Sequence, residues 1–584
     1  MTVIATVGHV DHGKSSLVRA LTGTDPDRLA EEKRRGMTIE LGFAHTDDDD
    51  GAALSFIDVP GHADLVRTMI AGVAAVEAVL LVIDAREGWM PQTIEHLAIV
   101  ELLAIPVGVI ALTKCDLVDD DRLAHLARDT TDILASSPIR WSTPVAVSTV
   151  TGNGIEECRR ALSDAVGDVR AARSPATSTA TSMAASTQGA HKGRPRLFVD
   201  RVFTLPGAGT IVTGTLEHGR LRIDDDVMIV RTGVRGRIRS LQRHGAVISE
   251  CLPGHRCAVN LANLSTDDIE RGDALVLDGD WHLTDVVDVR IELARGIDEP
   301  PRPGSGHTVH FGTDRVEASL RPLAMPGLWR VRIPRAWPVT PGDRIVVRRT
   351  GDATTIGGGT VLDVAPLRRP SHARPDGSIE SQLAAHGFLD ADVARRLTGR
   401  DVAPVVGRWC AAAANLEAAV SRVSSALDDG EVALDSLEPW ERDLVSMFDD
   451  ERFADVRIEV GVARRGTDPL ASHPIADAIR NAGITGPATA GLDRDIVRRL
   501  VAAGHVLEHD GIAFHADTLA SLAPIVAELL AAHPGGFTVS TLRERLGITR
   551  KHAVPLAACL DRAGWTLRRG DARIAGPRLG RGST

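Results

Sequence analysis

Eight residues near the start of the chain, Gly8-His9-Val10-Asp11-His12-Gly13-Lys14-Ser15, fit the pattern G-x-x-x-x-G-K-[ST]. The two glycines let backbone N–H groups wrap a phosphate chain, Lys14 supplies a point charge, and the Ser15 hydroxyl can ligate Mg²⁺. His9, Asp11 and His12 fill the loop, and Ser16 opens a helix expected over Ser16–Leu21, directly after the apolar run Thr2–Val7. Asp58 ends the run Leu54–Ile57 and is followed by Val59-Pro60-Gly61-His62. A carboxylate at the end of such a strand can hold the Mg²⁺ shell through water. Gly61 leaves its N–H available to a γ-phosphate, and His62 stands where it can orient an attacking water. Between these elements lies Arg35-Gly36-Met37-Thr38-Ile39. Thr38 can complete the metal shell only when a γ-phosphate is present, which makes this segment a switch.

Thr113-Lys114-Cys115-Asp116 ends another apolar run. Asp116 can accept hydrogen bonds from the N1–H and N2–H₂ edge of guanine, which adenine does not offer, while the Lys114 stem packs on the base. In Val147-Ser148-Thr149, a backbone N–H around Ser148 can meet the guanine O6. Five elements in this order define a site that binds GTP or GDP with Mg²⁺ and hydrolyses GTP to GDP and phosphate.

Such a site needs a rigid α/β frame. The short apolar runs Ala53–Val59, Ala78–Asp84 and Val107–Thr113, with the amphipathic stretch Gln92–Leu103 between the last two, fit buried parallel strands alternating with helices. A doubly wound domain over 1–172 follows. The Ala/Ser/Thr-rich stretch 173–196 is expected as a flexible linker. Short strands such as LFVDRVF, TIVTGTL, DVMIV and DRIVVRR then predict two small β-barrels, over 197–281 and 282–367. Within them Gly357-Gly358-Gly359 lacks a following helix and is expected as a turn. Ala/Leu/Arg-rich helices fill 371–584, so the fold class is multidomain α/β, then β, then α.

No run of eighteen apolar residues is present and the first residues lack a basic leader, which predicts a cytoplasmic protein with no membrane partner. Six scattered cysteines form no C-x-x-C pair, so neither a disulfide framework nor a zinc site is expected. The net charge of −11 speaks against indiscriminate nucleic-acid binding but not against a local basic face.

Such a face is predicted at the end of the chain. A helix around Ser540–Leu546, a turn at Gly547, a helix Arg550–Arg562 and a hairpin TLRRGDARI give a helix-turn-helix with a wing, the last module at about 520–576. Its bases, with Arg550, Lys551, Arg568, Arg569 and Arg573 the candidate RNA contacts, outnumber its acids Glu544, Asp561 and Asp571. A soluble basic tail is the plain alternative.

GHVDHGK, RGMTIE, DVPGH and TKCD resemble motifs of the translational GTPases related to elongation factor Tu. DRLAEEKRRGMTIELGFA, GAGTIVTGTL and GITRKHAVPLAACLDRAGWTLRRGDARI further resemble the selenocysteine-specific elongation factors, the SelB family. One departure is Thr113, where most translational GTPases carry Asn. The resemblance implies tandem winged-helix modules over 371–584 and an aminoacyl pocket on the first barrel, carried here by Asp200, Arg201 and Arg256. Its arginines would test for the negative charge of a selenolate, which serine's hydroxyl lacks at neutral pH. Implied partners are selenocysteinyl-tRNA, the ribosome and an mRNA hairpin marking a UGA codon, bound by a monomer. A sulfate-activating GTPase shares the DHGK loop and barrels, but residues 371–584 speak against it. An RNA-binding protein with a decayed GTPase is opposed by the joint presence of Lys14, Ser15, Asp58, His62 and Asp116.

Overall fold

The structure is a computed structural model that describes residues 2–26, 34, 38–47, 53–62, 65–73, 76–172, 194–205, 209–447, 449–459, 461–465 and 470–579. Nearly all of the linker and most of the switch motif around Thr38 lie outside the described residues. The chain forms two compact units, 1–418 and 419–584.

The first unit opens with β1 (Thr2–Val7), α1 (Lys14–Thr22), β2 (Gly42–Asp47), β3 (Ala53–Asp58), α2 (Val66–Val73) and β4 (Ala78–Asp84). Then follow α3 (Pro91–Leu102), β5 (Val107–Thr113), α4 (Asp120–Leu134), β6 (Arg140–Trp141), β7 (Val145–Val147) and α5 (Ile155–Ala172). The sheet runs β2-β3-β1-β4-β5-β6, with β7 also on β5. Only β2 is antiparallel to its neighbour. β1, β4 and β5 are buried along their whole length, which is why their sequences are apolar throughout rather than alternating. Helices α2, α3 and α4 cover one face, and α1 and α5 the other. The phosphate loop, Asp58, Asp84 and Thr113 therefore converge at the carboxyl ends of the strands, where open α/β sheets hold ligands.

Two barrels complete most of this unit. The first is built from β8 (Pro195–Leu205), β9 (Gly209–His218), β10 (Leu221–Arg222), β11 (Asp226–Ile229), β12 (Arg235–Arg243), β13 (Ala246–Ile248), β14 (Glu250–Cys251), β15 (Arg256–Ala262) and β16 (Ala274–Leu277). Its main sheet runs β11-β16-β8-β9-β15-β12-β13, and pairing of β11 with β12 brings its ends together. The second barrel, β17 (Leu283–Leu293), β18 (Gly304–Phe311), β19 (Asp314–Pro322), β20 (Leu328–Pro338), β21 (Arg344–Arg349) and β22 (Thr355–Asp363), closes fully. Closure removes exposed sheet edges.

The glycine triplet corrects an expectation. Gly357, Gly358 and Gly359 lie inside strand β22, not in a turn. A Cβ on Gly358 would collide with Leu102 Cβ, so the missing side chain lets α3 press directly on the barrel.

The second unit consists of short helices and strand pairs. Its last module has helices Val539–Leu546 and Arg550–Arg562, with Gly547 in the left-handed conformation (φ 65°) as the cap between them. Strands Phe537–Thr538, Thr566–Arg569 and Ala572–Ala575 form a three-stranded sheet whose last two strands are the wing. Among the described residues no helix is long and apolar enough to cross a membrane.

Candidate nucleotide site and aminoacyl cleft

The phosphate loop is held open by backbone conformations that suit its sequence. Gly8 (φ 142°) presses on the Val82 carbonyl where a Cβ would clash, and Gly13 (φ 87°) caps α1. Lys14 Nζ lies inside the loop, donating to Gly8 O at 3.2 Å and His9 O at 2.7 Å. Gly61 sits against it: a Cβ there would meet Lys14 Nζ and the Val10 amide nitrogen. The structure thus brings Gly8, Gly13, Lys14 and Gly61 together. His62 follows, half-buried, and Ser16 is exposed on the first turn of α1.

Three oxygen donors meet beside Lys14. Ser15 Oγ donates to Asp58 Oδ2 at 2.6 Å and lies 2.8 Å from Thr38 Oγ1, which itself donates to Asp58 Oδ2 at 3.3 Å. Thr6 Oγ1 donates to the other carboxylate oxygen at 2.6 Å. Asp58 is fully buried, and burial pushes its carboxyl up against the opposing hydrogen bonds from Ser15 and Thr6 and the charge of Lys14. Two hydroxyls and a desolvated carboxylate are hard oxygen donors, the set that suits Mg²⁺. The residues fit the ion that the sequence implied.

On the base side, Thr113 Oγ1 donates to His12 O at 2.7 Å and is 3.2 Å from Ile83 O. Lys114 Nζ reaches Asp11 O at 2.7 Å and pairs with Asp84 at 2.7 Å. Burial raises the Asp84 carboxyl, but hydrogen bonds from Arg86 and Lys114 outweigh it and hold the group well below the ordinary carboxylate range. Asp116 is exposed in the turn just after Lys114. At Ser148 the N–H donates to Asn153 O at 2.9 Å, and Oγ accepts from the Val150 and Thr151 amides. Ser148 thus shapes the turn that follows β7.

Two buried histidines brace the loop from behind. His96 Nδ1 accepts the Gly8 N–H at 3.1 Å, and burial, with the charges of Lys14 and His9, pulls its pKa down to about 3. His12 Nδ1 lies 3.3 Å from Val82 O, and burial lowers its pKa to about 4. Sequence reasoning passed over His96 and Asp84, because neither sits in a recognisable pattern.

The aminoacyl candidates also meet. Pairing of β8 with β9 slips register between Val199 and Arg201, which makes Asp200 the extra residue of a bulge. The bulge turns Asp200 towards Arg256 at the start of β15. Arg256 grips its carboxylate with Nε at 3.0 Å and Nη2 at 2.9 Å, and Nη2 also reaches Thr213 Oγ1 at 3.0 Å. Arg201 instead donates to Leu41 O at 2.6 Å. Phe43 on β2 of the α/β domain covers both, with its ring centroid 3.6 Å from the Arg256 guanidinium carbon and 5.1 Å from that of Arg201. A cleft of about 380 Å³ opens there, lined by Arg201, Arg256, Thr213, Phe43 and the stacked pair His45–His244, centroids 4.1 Å apart. Phe43 and the histidine pair were missed, since contacts between domains leave no local pattern, and Thr213 because it meets Asp200 and Arg256 only across strands of the barrel.

Four of the five RNA candidates, Arg550, Lys551, Arg568 and Arg569, are exposed. Arg573 is not. It is 5% exposed and bonded to Asp561 at 3.0 Å, so it holds the wing to the helix and does not reach a ligand.

Residues 1–168 match the elongation factor Tu GTP binding domain, and residues 209–276 match elongation factor Tu domain 2. The chain belongs to the elongation-factor-Tu class of translational GTPases. Residues 528–575 match the elongation factor SelB winged helix. Selenocysteine-specific elongation factors of Desulfomicrobium baculatum and Escherichia coli (strain K12) are 37% and 32% identical over 68% and 63% of this chain. Those alignments span 61% and 56% of the relatives' own length. A crystal structure of bacterial selenocysteine-specific elongation factor EF-Sec superposes with a TM-score of 0.65 at 25% identity, covering 98% of this chain and 99% of that one. SelB of Methanococcus maripaludis in complex with GppNHp shares the fold, with a TM-score of 0.53 at 21% identity over 63% of this chain and 80% of that one. Within its class the chain belongs to the SelB family.

Proposed function

We propose that this chain is a cytoplasmic, monomeric selenocysteine-specific elongation factor. It binds GTP, carries selenocysteinyl-tRNA to the ribosome at UGA codons marked by an mRNA hairpin, and hydrolyses the GTP there. The observation that carries this reading is the Arg256–Asp200 pair, with Arg201 beside it, in a cleft roofed by Phe43. Asp200 pairs with Arg256 at 2.9 Å and Glu40 with Arg201 at 3.6 Å, but only the two guanidiniums line the cleft, and cationic N–H donors facing it favour a selenolate over a neutral hydroxyl. Two unit charges about 4 Å apart gain roughly 4 kcal/mol at the effective dielectric of a protein surface.

The roof supports the coupling of nucleotide to tRNA. Thr38 at the metal-donor cluster and Phe43 over Arg256 lie on one short segment, and Arg201 holds its middle through Leu41 O. A change at Thr38 is therefore felt at the cleft.

For hydrolysis, Lys14 and the loop amides neutralise the β- and γ-phosphate oxygens, and Gly61 admits the γ-phosphate close to the backbone. Ser15 and Thr38, with Asp58 through water, would hold Mg²⁺, and the ion would supply Lewis-acid stabilisation of charge developing on the phosphate oxygens. His62 orients a water; its oxygen bonds to the γ-phosphorus as the bond to the bridging oxygen breaks, leaving GDP and phosphate. Exposed Asp116 and the Lys114 stem read the guanine. Arg550, Lys551, Arg568 and Arg569 bind the hairpin.

Protection of the aminoacyl ester tests the reading. The GTP-bound protein should slow hydrolysis of selenocysteinyl-tRNA and leave seryl-tRNA of the same tRNA species unprotected. Equal protection of both would remove the specialised role and leave a generic GTPase.

A further inference from the structure

Helix α3 holds the phosphate loop on one side and the second barrel on another. Gln92 and His96 lie one turn apart on a single stripe of the helix. Gln92 Oε1 accepts the Val10 N–H at 3.4 Å, and His96 Nδ1 accepts the Gly8 N–H at 3.1 Å. The Val10 nitrogen is also one of the atoms that a Cβ on Gly61 would strike, so its position sets the room beside Gly61. Two peptide groups of the loop are thus fastened to α3, and the loop keeps its shape only while α3 keeps its place.

The second barrel fixes that place. Glu95, Ala98 and Leu102 recur at helical spacing on a neighbouring stripe of α3. Glu95 accepts from Arg348 Nη2 on β21 and from Thr355 Oγ1 on β22, each at 3.2 Å. Leu102 fills the room that Gly358 leaves, and Ala98 and Leu102 are buried against Ala294. Arg295, just beyond β17, grips Glu101 with Nη2 at 2.7 Å and Nε at 3.3 Å. Its Nη1 reaches Ser136 Oγ, past the end of α4, at 3.3 Å. The barrel therefore grips α3 at Glu95 and at Glu101, roughly 9 Å apart along the axis at 1.5 Å per residue. Packed helices shift as rigid bodies, so moving the barrel-facing stripe moves the loop-facing stripe with it.

We propose that Arg348 and Arg295 are positioning residues for the nucleotide site: docking of the second barrel on α3 sets how fast GTP and GDP leave the phosphate loop. Both arginines act through the helix, at Glu95 and Glu101, and not on the nucleotide. The coupling is reciprocal, so bound nucleotide in turn favours the docked barrel. A partner that drew the barrel off α3 would release nucleotide without entering its pocket. This goes beyond the nucleotide-site reading and rests on it.

Release of a fluorescent GDP or GTP analogue from the full-length protein, chased with unlabelled nucleotide, tests the coupling. Arg295→Ala combined with Arg348→Ala should speed release about ten-fold. Arg349→Ala is the control: this next residue on β21 is exposed and pairs with Asp352, and its loss should leave the rate within about two-fold. Exchanging the charges, Glu101→Arg with Arg295→Glu, should bring the faster release of Arg295→Ala back to the original rate. In a background without the loop ties, Gln92→Ala with His96→Ala, the two barrel substitutions should add less than about two-fold. Should that background fail to load nucleotide, the charge exchange decides. Unchanged release from the double arginine variant, effects that add in full to loss of Gln92 and His96, or a charge exchange that restores nothing would overturn the proposal. Failure of the unaltered protein to hold the nucleotide would instead remove the nucleotide-site reading itself.

Discussion

Thr113 Oγ1 donates to the backbone carbonyl of His12, 2.7 Å away, and so fastens the guanine-side strand end to the phosphate loop. Where most translational GTPases have an asparagine, a shorter hydroxyl makes the tie. Both residues are buried, so the carbonyl has no water to replace the bond.

Thr113→Val keeps the shape and deletes that donor. A buried acceptor left unmatched costs about 1–3 kcal/mol, so affinity for both GTP and GDP should fall about ten-fold. Titration with a fluorescent guanine nucleotide measures it; unchanged affinity would show that the tie does not support the loop.

His62→Ala should leave GTP affinity within about two-fold and slow ribosome-stimulated hydrolysis about a hundred-fold, the scale of losing a positioned proton or water partner. Single-turnover phosphate release is the readout. An unaffected rate would dismiss His62 from the reaction.

Acid should loosen the phosphate loop through His96. Its folded pKa is about 3 and that of His12 about 4, against an ordinary value of 6.5 for both. Below pH 6.5 the unfolded chain therefore takes up protons that the folded chain refuses. The stability contributed by these neutral histidines is complete above that pH and is lost as pH falls towards 4, by at most about 1.4 kcal/mol per pH unit for each. Tm should drop between pH 7 and 5. His96→Gln, which can accept the Gly8 N–H without titrating, should flatten that slope; an identical slope would refute the assignment.

The bases of the last module divide by burial. Removing Arg568 and Arg569 together should weaken hairpin binding and shallow its salt dependence by about two phosphate contacts, with Tm unchanged. Arg573→Ala should instead lower Tm, because it leaves Asp561 without its cation. Loss of hairpin affinity at full stability in Arg573→Ala would contradict its structural role.

Sequence revealed the nucleotide site because its chemistry is local: loop, strand-end carboxylate and guanine reader each fill a few consecutive positions. Asp200 and Arg256 were legible only through family motifs, and what joins them is a bulge that alternation along β8 does not announce. Phe43 was invisible, since it meets Arg256 across a domain boundary. Arg573 looked like its neighbours Arg568 and Arg569, although it lies on the central strand of the three-stranded sheet, opposite Phe537, where the helix packed on that sheet covers it and supplies Asp561. The glycines 357–359 suggested a turn because pattern reading assigns glycine to loops, whereas here close approach of Leu102 requires it in a strand.

The central claim is that a fixed cation in the first barrel selects an amino acid that is already anionic. The most direct measurement is the ratio of Kd values for seryl- and selenocysteinyl-tRNA on the GTP-bound protein, compared with the same ratio for Arg256→Ala. The account predicts a preference of at least about a hundred-fold for selenocysteine that shrinks by more than about ten-fold in the variant, the scale of a surface charge pair. A ratio that Arg256→Ala leaves unchanged would contradict it.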